Sequence, residues 1–259
     1  MKILIPQKYF AKLLRAVVEF DLISENDQIL IGLSGGKDSI FLTYALAVLR
    51  ERLRKKFTLR ALTIDPMFTN DLDVQRVTKF CADLEIPHEV HRVDIDAAIA
   101  GQNGKNACFT CAFLRRGAMN RFALEHGCSK IAYAHHLDDA VETFLMGILY
   151  SGQTSTFTPK TFLDRTRLTV IRPLVYFRES EIIEAREFIN CEPVKSPCPR
   201  DGFTIRAEVK NLIRDLSPKI PDLVPHLSSA LRKSSLGDLW EKSLSRDEMR
   251  DTYFKYMGD

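Results

Sequence analysis

The feature of this chain that most constrains its fold is a short glycine-containing segment between a strand pattern and a helix pattern. The segment consists of Ser34, Gly35, Gly36, Lys37, Asp38 and Ser39. Residues 28–33 before it form an apolar run that predicts a buried parallel strand, and residues 40–49 after it predict a helix. Paired glycines let backbone N–H groups approach an anion, and a helix N-terminus adds donors and the positive end of its dipole. The segment therefore predicts a phosphate-binding loop, although its spacing is not that of the Walker motif.

Two charged residues of this phosphate loop suit nucleotide chemistry. Lys37 supplies a positive point charge, and Asp38 is placed to hold a Mg²⁺ ion that shields the phosphates. The alternative is a glycine-rich turn without a ligand, but the strand, turn and helix context favours phosphate binding. The loop resembles the PP-loop of the N-type ATP pyrophosphatases, which cut ATP between the α and β phosphates and attach AMP to a substrate oxygen. The resemblance implies ATP and Mg²⁺ as ligands.

Strand patterns and helix patterns alternate along the chain after residue 27. Strands are predicted at 28–33, 58–64, 87–93, 131–134 and 168–171, and further helices at 71–84, 110–126, 138–150 and 179–189. Strands separated by helices predict an α/β fold with a doubly wound, five-stranded parallel sheet of Rossmann-like type. Val90 and Val93 are expected to point inward, and residues 152–166 are expected to form a loop over the sheet edge.

Parallel sheets of this kind bind ligands at the carboxyl ends of their strands. The phosphate loop, Asp65 and His135 all fall at such ends, which predicts one shared site. The predicted ATP-binding residues are Ser34, Gly35, Gly36, Lys37, Asp38, Ser39, Ile64, Asp65 and Ala134. His135 and Asp138 are expected to face the phosphate loop and to act in catalysis with Lys37 and Asp38; the alternative is that Asp138 caps the following helix.

The length of 259 residues and the hydrophobic content of 45% allow one substantial domain with an appendage. We expect an N-terminal helical segment at 1–24, a nucleotide-binding domain at 25–190 and a C-terminal helical extension at 191–259. The N-terminal helix is amphipathic, with one apolar face. That face is formed by Phe10, Leu13, Leu14, Val17 and Val18.

Charge and hydropathy restrict the partners of the chain. A net charge of +3 permits a nucleic-acid partner without requiring one. No apolar run approaches the roughly 20 residues that cross a bilayer, and the N-terminus lacks a signal-peptide pattern. We therefore expect a cytoplasmic protein without a membrane partner. In that compartment the six cysteines are expected to be thiols or metal ligands rather than disulfides.

Three cysteines form a candidate metal set. Cys108 and Cys111 are spaced as Cys-x-x-Cys, which suits either a metal or a redox pair, and Cys198 lies between two prolines. Three thiolates could hold three irons of a 4Fe–4S cluster and leave the fourth open, whereas structural zinc favours a fourth protein ligand. The remaining cysteines are expected to be buried thiols, and these are Cys81, Cys128 and Cys191.

Several motifs occur in one order between about residue 27 and about residue 216. They are the phosphate loop, Cys108 and Cys111 followed by Leu114-Arg115-Arg116-Gly117, His135-His136-Leu137-Asp138-Asp139, Ile171-Arg172-Pro173-Leu174, and Cys198. This set resembles the tRNA 2-thiocytidine synthetase family, which is related to the tRNA 2-thiouridine synthetases. Two departures are Leu137, where the family has arginine, and Asp201, where it often has another cysteine.

The resemblance implies an ATP-dependent tRNA thiolation. The 2-oxo group of a pyrimidine, expected to be a cytidine of the anticodon loop, attacks the α-phosphate of ATP, and sulfur then displaces AMP. The resemblance also implies a 4Fe–4S cluster on Cys108, Cys111 and Cys198, with sulfur at the open iron. It implies tRNA as a partner and a sulfur donor such as a cysteine desulfurase or free sulfide, and it leaves a homodimer open.

Five basic residues are candidate RNA contacts. Arg206, Lys210 and Arg214 recur every four residues and would form one stripe on a helix after Cys198. A solvated helix face explains the same stripe equally well. Arg115 and Arg116, directly after the cysteine pair, are the other two candidates.

Three other functions remain open at this point. A tRNA-lysidine-type ligase would use the same phosphate loop but would not need the cysteines. A nucleotide-binding redox sensor would bind ATP but would release no pyrophosphate in the presence of any RNA. Sulfur transfer to a small heterocycle would need no RNA contacts.

Overall fold

The computed structural model describes residues 4–69, 73–101, 107–195, 197–200, 202–232 and 247. The strands are β1 (Asp27–Gly32), β2 (Phe57–Asp65), β3 (His88–Arg92), β4 (Lys130–Ala132), β5 (Lys160–Leu163) and β6 (Leu168–Ile171). The helices are α1 (Gln7–Glu19), α2 (Lys37–Arg52), α3 (Gln75–Asp83), α4 (Ile95–Ala100), α5 (Ala107–Glu125), α6 (Leu137–Ser151), α7 (Glu179–Glu184), α8 (Ile205–Leu216) and α9 (Leu223–Arg232). A 3₁₀ turn, Ala185–Phe188, follows α7 and completes the helical segment predicted at 179–189.

The six strands form one sheet in the order β3-β2-β1-β4-β6-β5. All neighbouring pairs are parallel except β5 and β6, which are antiparallel. The predicted parallel α/β fold is confirmed, but the predicted count of five strands is wrong. The sixth strand, β5, lies inside the region expected to be a loop. It is four residues long and pairs on one side only. Its sequence, Lys-Thr-Phe-Leu, does not alternate between apolar and polar residues and so does not reveal a strand.

The sheet is covered on both faces. On one face α1, α2 and α7 form the larger core, and the middle of α2 is buried on all sides. On the other face α5 packs Met119, Phe122 and Ala123 against strands β1, β2 and β4. Burial on both faces explains why β1 is a continuous apolar run.

The structure corrects two expected inward-facing residues. Val18 is 71% exposed, because the buried stripe of α1 follows Tyr9, Leu13, Ala16 and Val17 and leaves residue 18 beside it. Val90 is 39% exposed on the edge strand β3, which has a neighbour on one side only. Val93 packs, as expected, against the second core cluster, which is the smaller core between α5 and the sheet.

A buried ion pair joins the two central strands at the end of the sheet opposite the phosphate loop. Lys130 Nζ lies 2.6 Å from Asp27 Oδ2, with both side chains less than a tenth exposed. The ammonium also donates to the Leu22 carbonyl at 2.9 Å and lies 3.3 Å from Ser24 Oγ. These extra hydrogen bonds offset the cost of burying the charges, and the ion pair itself links β1 to β4.

The remaining expectations concern the buried cysteines, the domain boundaries and the absence of a membrane span. Cys81, Cys128 and Cys191 are buried, as predicted. The start of the predicted helix at residue 71 and the departure at Asp201 lie outside the described residues. The domain boundaries at 24 and 190 stay predictions. None of the helices in the described ranges is both long and apolar enough to span a membrane.

Candidate active site

The predicted ATP-binding residues lie where the carboxyl ends of three strands meet. β1 ends at Gly32 before the phosphate loop, β2 ends at Asp65, and β4 ends at Ala132, shortly before His135. The chain places β2 and β3 on one side of β1 and then returns to place β4 on the other side. Such a reversal opens a crevice between the two central strands. The topology therefore brings three segments that are distant in sequence to one edge of the sheet.

The phosphate loop has the backbone geometry of an anion-binding turn. Gly35 has a φ of +80°, in the left-handed region that glycine favours. Gly36 is the N-cap of α2, and its N–H lies 3.3 Å from Ser34 Oγ. Ser39 Oγ donates to the Gly36 carbonyl at 2.9 Å and lies 3.1 Å from Ser34 Oγ. Because Gly36 has no side chain to cap α2, the first amides of the helix are available to phosphate oxygens.

Lys37 is held between two carboxylates. Its Nζ lies 3.0 Å from Asp38 Oδ2 and 2.9 Å from Glu179 Oε1. Burial opposes the charged form of Lys37, but the two carboxylates outweigh burial and raise its pKa. Glu179 also pairs with Lys210 at 2.6 Å. Burial favours the neutral form of Glu179, but the two lysines outweigh it and lower its pKa to about 2. Glu179, which sequence reasoning missed, therefore connects the phosphate loop to α8.

Asp138 joins the first turn of α6 to the start of α7. Its Oδ1 accepts from Arg178 Nε at 2.9 Å, and its Oδ2 accepts from the backbone N–H of Glu179 at 2.7 Å. These bonds fix the start of α7 and so place Glu179 beside Lys37. Asp138 thus lies in the first turn of α6, whose N-cap is His136, and its catalytic role stays a prediction.

His136 is the N-cap of α6, a role that sequence reasoning did not assign to it. The Asp139 N–H lies 3.4 Å from His136 Nδ1, and the His136 N–H donates to Asp139 Oδ2 at 2.9 Å. The ring is 4% exposed, and its Nε2 lies 3.7 Å from Asp38 Oδ1. That oxygen is buried and accepts no hydrogen bond from the described residues. The site therefore holds an unsatisfied carboxylate oxygen on the phosphate loop.

His135 lies beside the motif arginine Arg172. Arg172 Nε donates to His135 Nδ1 at 3.4 Å, and the ring of Phe157 lies 4.9 Å from the His135 ring. Burial lowers the pKa of His135 to about 4, opposed by Asp139 and aided by the charges of Arg172 and Arg206. A pKa this low makes His135 neutral at pH 7, so one nitrogen accepts and the other can donate.

Three other predicted ATP contacts lie at or just after the carboxyl ends of strands β2 and β4. Asp65 is 8% exposed, and its Oδ1 accepts from the Met67 N–H at 3.0 Å. Ile64 is buried in the second core cluster, and Ala134 packs against the first. Their positions agree with the predicted site, and their contacts with ATP stay predictions.

The basic stripe is helical, as expected, and two of its residues turn toward the site. Arg206 lies 3.5 Å from Asp139 Oδ1 and 3.4 Å from Glu142 Oε2, and Lys210 pairs with Glu179. Arg214 is 73% exposed and lies 3.6 Å from Asp215. Arg214 is therefore the member of the stripe that is most open to a partner.

Glu142 is a second residue that sequence reasoning missed. Its side chain is 5% exposed. Burial raises the pKa of Glu142 to about 7, and the charge of Asp139 adds to this while Arg206 opposes it. Inside a helix pattern Glu142 is indistinguishable from a surface residue, because its partner Arg206 lies on α8, 64 positions further along the chain.

Cys198 lies within electrostatic range of Cys111, although the two are far apart in sequence. Burial raises the pKa of Cys111, and the nearby thiols of Cys198 and Cys108 raise it further, while Arg115 opposes the shift. Cys108 is exposed, and the other two are half-buried. Among the described residues no three Cys, His, Asp or Glu side chains could hold a single metal ion together. A 4Fe–4S cluster does not require that spacing, because each cysteine binds a different iron.

The segment that leads to Cys198 lies directly on the phosphate loop. The Val194 N–H donates to the Gly35 carbonyl at 2.8 Å. A Cβ built on Gly35 would lie 3.1 Å from Val194 Cβ, closer than ordinary packing allows. Glycine is therefore required at this position both for its φ and for the approach of Val194. The contact places the third cysteine's segment against the predicted ATP site.

Comparison of sequences identifies the relatives of the chain. A family model described as a PP-loop domain matches residues 6–213. The chain is 37% identical over 239 residues to a tRNA-cytidine(32) 2-sulfurtransferase of Geobacter metallireducens, covering 90% of this chain and 91% of that protein. It is 35% identical over 234 residues to the protein of the same name from Legionella pneumophila, covering 86% and 81% of the two chains.

Comparison of structures confirms the fold. The U34-tRNA thiolase NcsA from Methanococcus maripaludis, solved with its [4Fe-4S] cluster, superposes with a TM-score of 0.70. The alignment covers 97% of this chain and 88% of NcsA at 22% identity. At that identity the likeness shows a shared fold.

Proposed function

Because this chain belongs to the PP-loop domain family and, within it, to the tRNA-cytidine(32) 2-sulfurtransferases, we propose that it replaces the 2-oxo group of a cytidine in the anticodon loop of tRNA with sulfur. ATP activates the oxygen, and AMP and pyrophosphate are the by-products. The reaction takes place in the cytoplasm, and the sulfur donor is a cysteine desulfurase or free sulfide.

The observation that supports this proposal best is the contact between Val194 and Gly35. This hydrogen bond sets the segment that leads to Cys198 on the phosphate loop, which carries the predicted ATP site. A reaction that adenylates an oxygen and then replaces it needs both activities around one base. A tRNA-lysidine-type ligase would not need the three cysteines, and the relatives do not favour it.

In the first step the cytidine O2 attacks the α-phosphate, the bond to the β-phosphate breaks, and pyrophosphate leaves. Lys37 and the first amides of α2 stabilise the negative charge that develops on the phosphates. Lys37 must exchange Asp38 or Glu179 for a phosphate oxygen, since both carboxylates now hold it. In the second step hydrosulfide attacks C2, and AMP leaves with the original oxygen.

The residues of the site fit both implied cofactors. Asp38 Oδ1 is the unsatisfied ligand that Mg²⁺ can use, because Mg²⁺ takes one or two carboxylates and completes its shell with water and substrate phosphates. Cys108, Cys111 and Cys198 supply three thiolates to a 4Fe–4S cluster and leave one iron without a protein ligand. When bound, the cluster supplies an open coordination position for sulfur.

The experiment that tests the function uses the full chain purified without oxygen. It is incubated with ATP, Mg²⁺, free sulfide and tRNA from a strain that lacks the corresponding gene. We expect 2-thiocytidine in nucleoside mass spectra, with AMP and pyrophosphate formed in equal amounts. Formation of lysidine, thiolation of a free heterocycle only, or ATP binding without pyrophosphate release would each contradict the proposal in favour of an alternative.

We also propose that Arg115, Arg116, Arg206, Lys210 and Arg214 contact tRNA phosphates. Arg214 gives the clearest test, because it is 73% exposed and is not bound to a site carboxylate. Arg214→Ala should weaken tRNA binding and reduce the slope of log affinity against log salt by about one unit. Arg15→Ala, which removes an exposed arginine paired within α1, is the matched control. Equal slopes for Arg214→Ala and wild type would show that α8 presents only a solvated face.

A further inference from the structure

Two phenylalanines are exposed on the outer face of α5. Phe109 is 67% exposed and Phe113 is 61% exposed, one helical turn apart. Their rings are nearly parallel, with 16° between the ring planes and 6.3 Å between centroids. Large apolar side chains gathered on a surface in this way mark a binding site more often than isolated ones do.

The surroundings of the pair are basic. α5 carries Arg115, Arg116 and Arg121, and its sole acidic residue is Glu125 at its last position. Arg116 is exposed and follows Phe109 and Phe113 on the same face, while Arg115 lies against the Cys111 thiol. Exposed rings beside arginines suit single-stranded nucleic acid, because bases stack on the rings and phosphates pair with the guanidinium groups.

The pair shares two turns of α5 with the candidate cluster cysteines but lies on a different face of the helix. At 3.6 residues per turn, Phe109 and Phe113 each point about 160° away from Cys111 around the helix axis. A base stacked on these rings would therefore lie across α5 from the proposed cluster ligands and would belong to a neighbouring part of the same loop. The anticodon loop of tRNA is single-stranded, so its bases can leave their stack and rest on aromatic side chains.

We propose that Phe109 and Phe113 form a stacking platform for unpaired bases of the substrate tRNA loop that flank the thiolated nucleotide. This assignment rests on the proposed tRNA thiolation and extends it. Arg116 contacts the adjoining phosphate. The platform holds flanking bases of the loop unstacked on the outer face of α5 and raises affinity with little dependence on base identity, since every base has a π face.

The test compares Phe109→Ala, Phe113→Ala, Phe109→Leu and Phe109→Trp with wild type, using unmodified tRNA and a synthetic anticodon stem-loop. Each alanine variant should raise the dissociation constant and the KM for tRNA roughly five- to hundredfold, the range for loss of one stacked base. Phe109→Leu should bind tRNA as weakly as Phe109→Ala does, whereas Phe109→Trp should bind tRNA with wild-type affinity. The salt slope should not change, because no phosphate contact is lost. Phe162→Ala is the matched control, since Phe162 is 51% exposed on β5.

The outcomes separate this proposal from the proposed function. Failure of wild type to bind or thiolate tRNA contradicts the function itself. Thiolation by wild type together with unchanged tRNA affinity in both alanine variants overturns the platform alone. Wild-type tRNA affinity in Phe109→Leu overturns stacking, because an apolar contact without an aromatic ring would then be sufficient. A thiolation defect of the alanine variants that appears when a cysteine desulfurase supplies the sulfur, but not when free sulfide does, overturns the platform in favour of a surface that binds a protein partner. Visible absorption equal to wild type in each variant excludes cluster loss as the cause.

Discussion

Replacing Lys37 with alanine is expected to lower the rate of pyrophosphate release by about two to three orders of magnitude, the usual effect of removing one donor to a developing negative charge. Lys37 is the cation at the start of α2, and Asp38 and Glu179 hold it at 3.0 Å and 2.9 Å. Asp38→Ala should have a comparable effect, because it removes the unsatisfied oxygen that suits Mg²⁺. The measurement is pyrophosphate release with tRNA present at saturating concentration.

Lys8→Ala is a suitable control for Lys37→Ala. Lys8 is 63% exposed on α1 and pairs with Glu184 at the surface, away from the phosphate loop. Both phosphate-loop variants should keep the visible absorption of the cluster, because neither side chain contacts a cysteine. Turnover at the wild-type rate in Lys37→Ala would overturn the assignment of the ATP site.

The second large effect is expected from the cysteine set. Alanine at Cys108, Cys111 or Cys198 should remove the broad visible absorption of the cluster and stop thiolation, while ATP still binds. The reason is that each cysteine binds a different iron, so no remaining thiolate replaces the lost one. The measurements are iron content and absorption after anaerobic purification, together with ATP affinity.

Two other cysteines provide controls of the same chemistry. Cys81 and Cys191 are buried in the larger core, and burial raises the pKa of Cys81 to about 12, which disfavours its thiolate form. Alanine at either position should leave iron content unchanged. Loss of absorption in Cys81→Ala or Cys191→Ala, with none in Cys198→Ala, would show that the ligand set is wrong.

Local sequence was sufficient for those parts of the molecule that depend on neighbouring residues. The apolar run before residue 34, the glycine pair and the helix pattern after it predicted the β1-loop-α2 unit, because buried strands and helices have distinct periodicities. The carboxyl-end rule then predicted that Asp65 and His135 would share an edge with the phosphate loop. The antiparallel strand β5 was not predicted, since its four residues, Lys-Thr-Phe-Leu, show no such periodicity.

Only the tertiary structure decided which charges meet. Glu179, His136 and Glu142 look like ordinary helical or capping residues in sequence, and each becomes part of the site through packing between α6, α7 and α8. The same packing turns Arg206 and Lys210 toward carboxylates and leaves Arg214 exposed. The sequence alone determined the phosphate loop and the order of the motifs, because those depend on neighbouring residues. Ion pairs and burial depend on residues far apart in the chain, such as Lys37 and Glu179, which are 142 positions apart, and so only the folded chain could specify them.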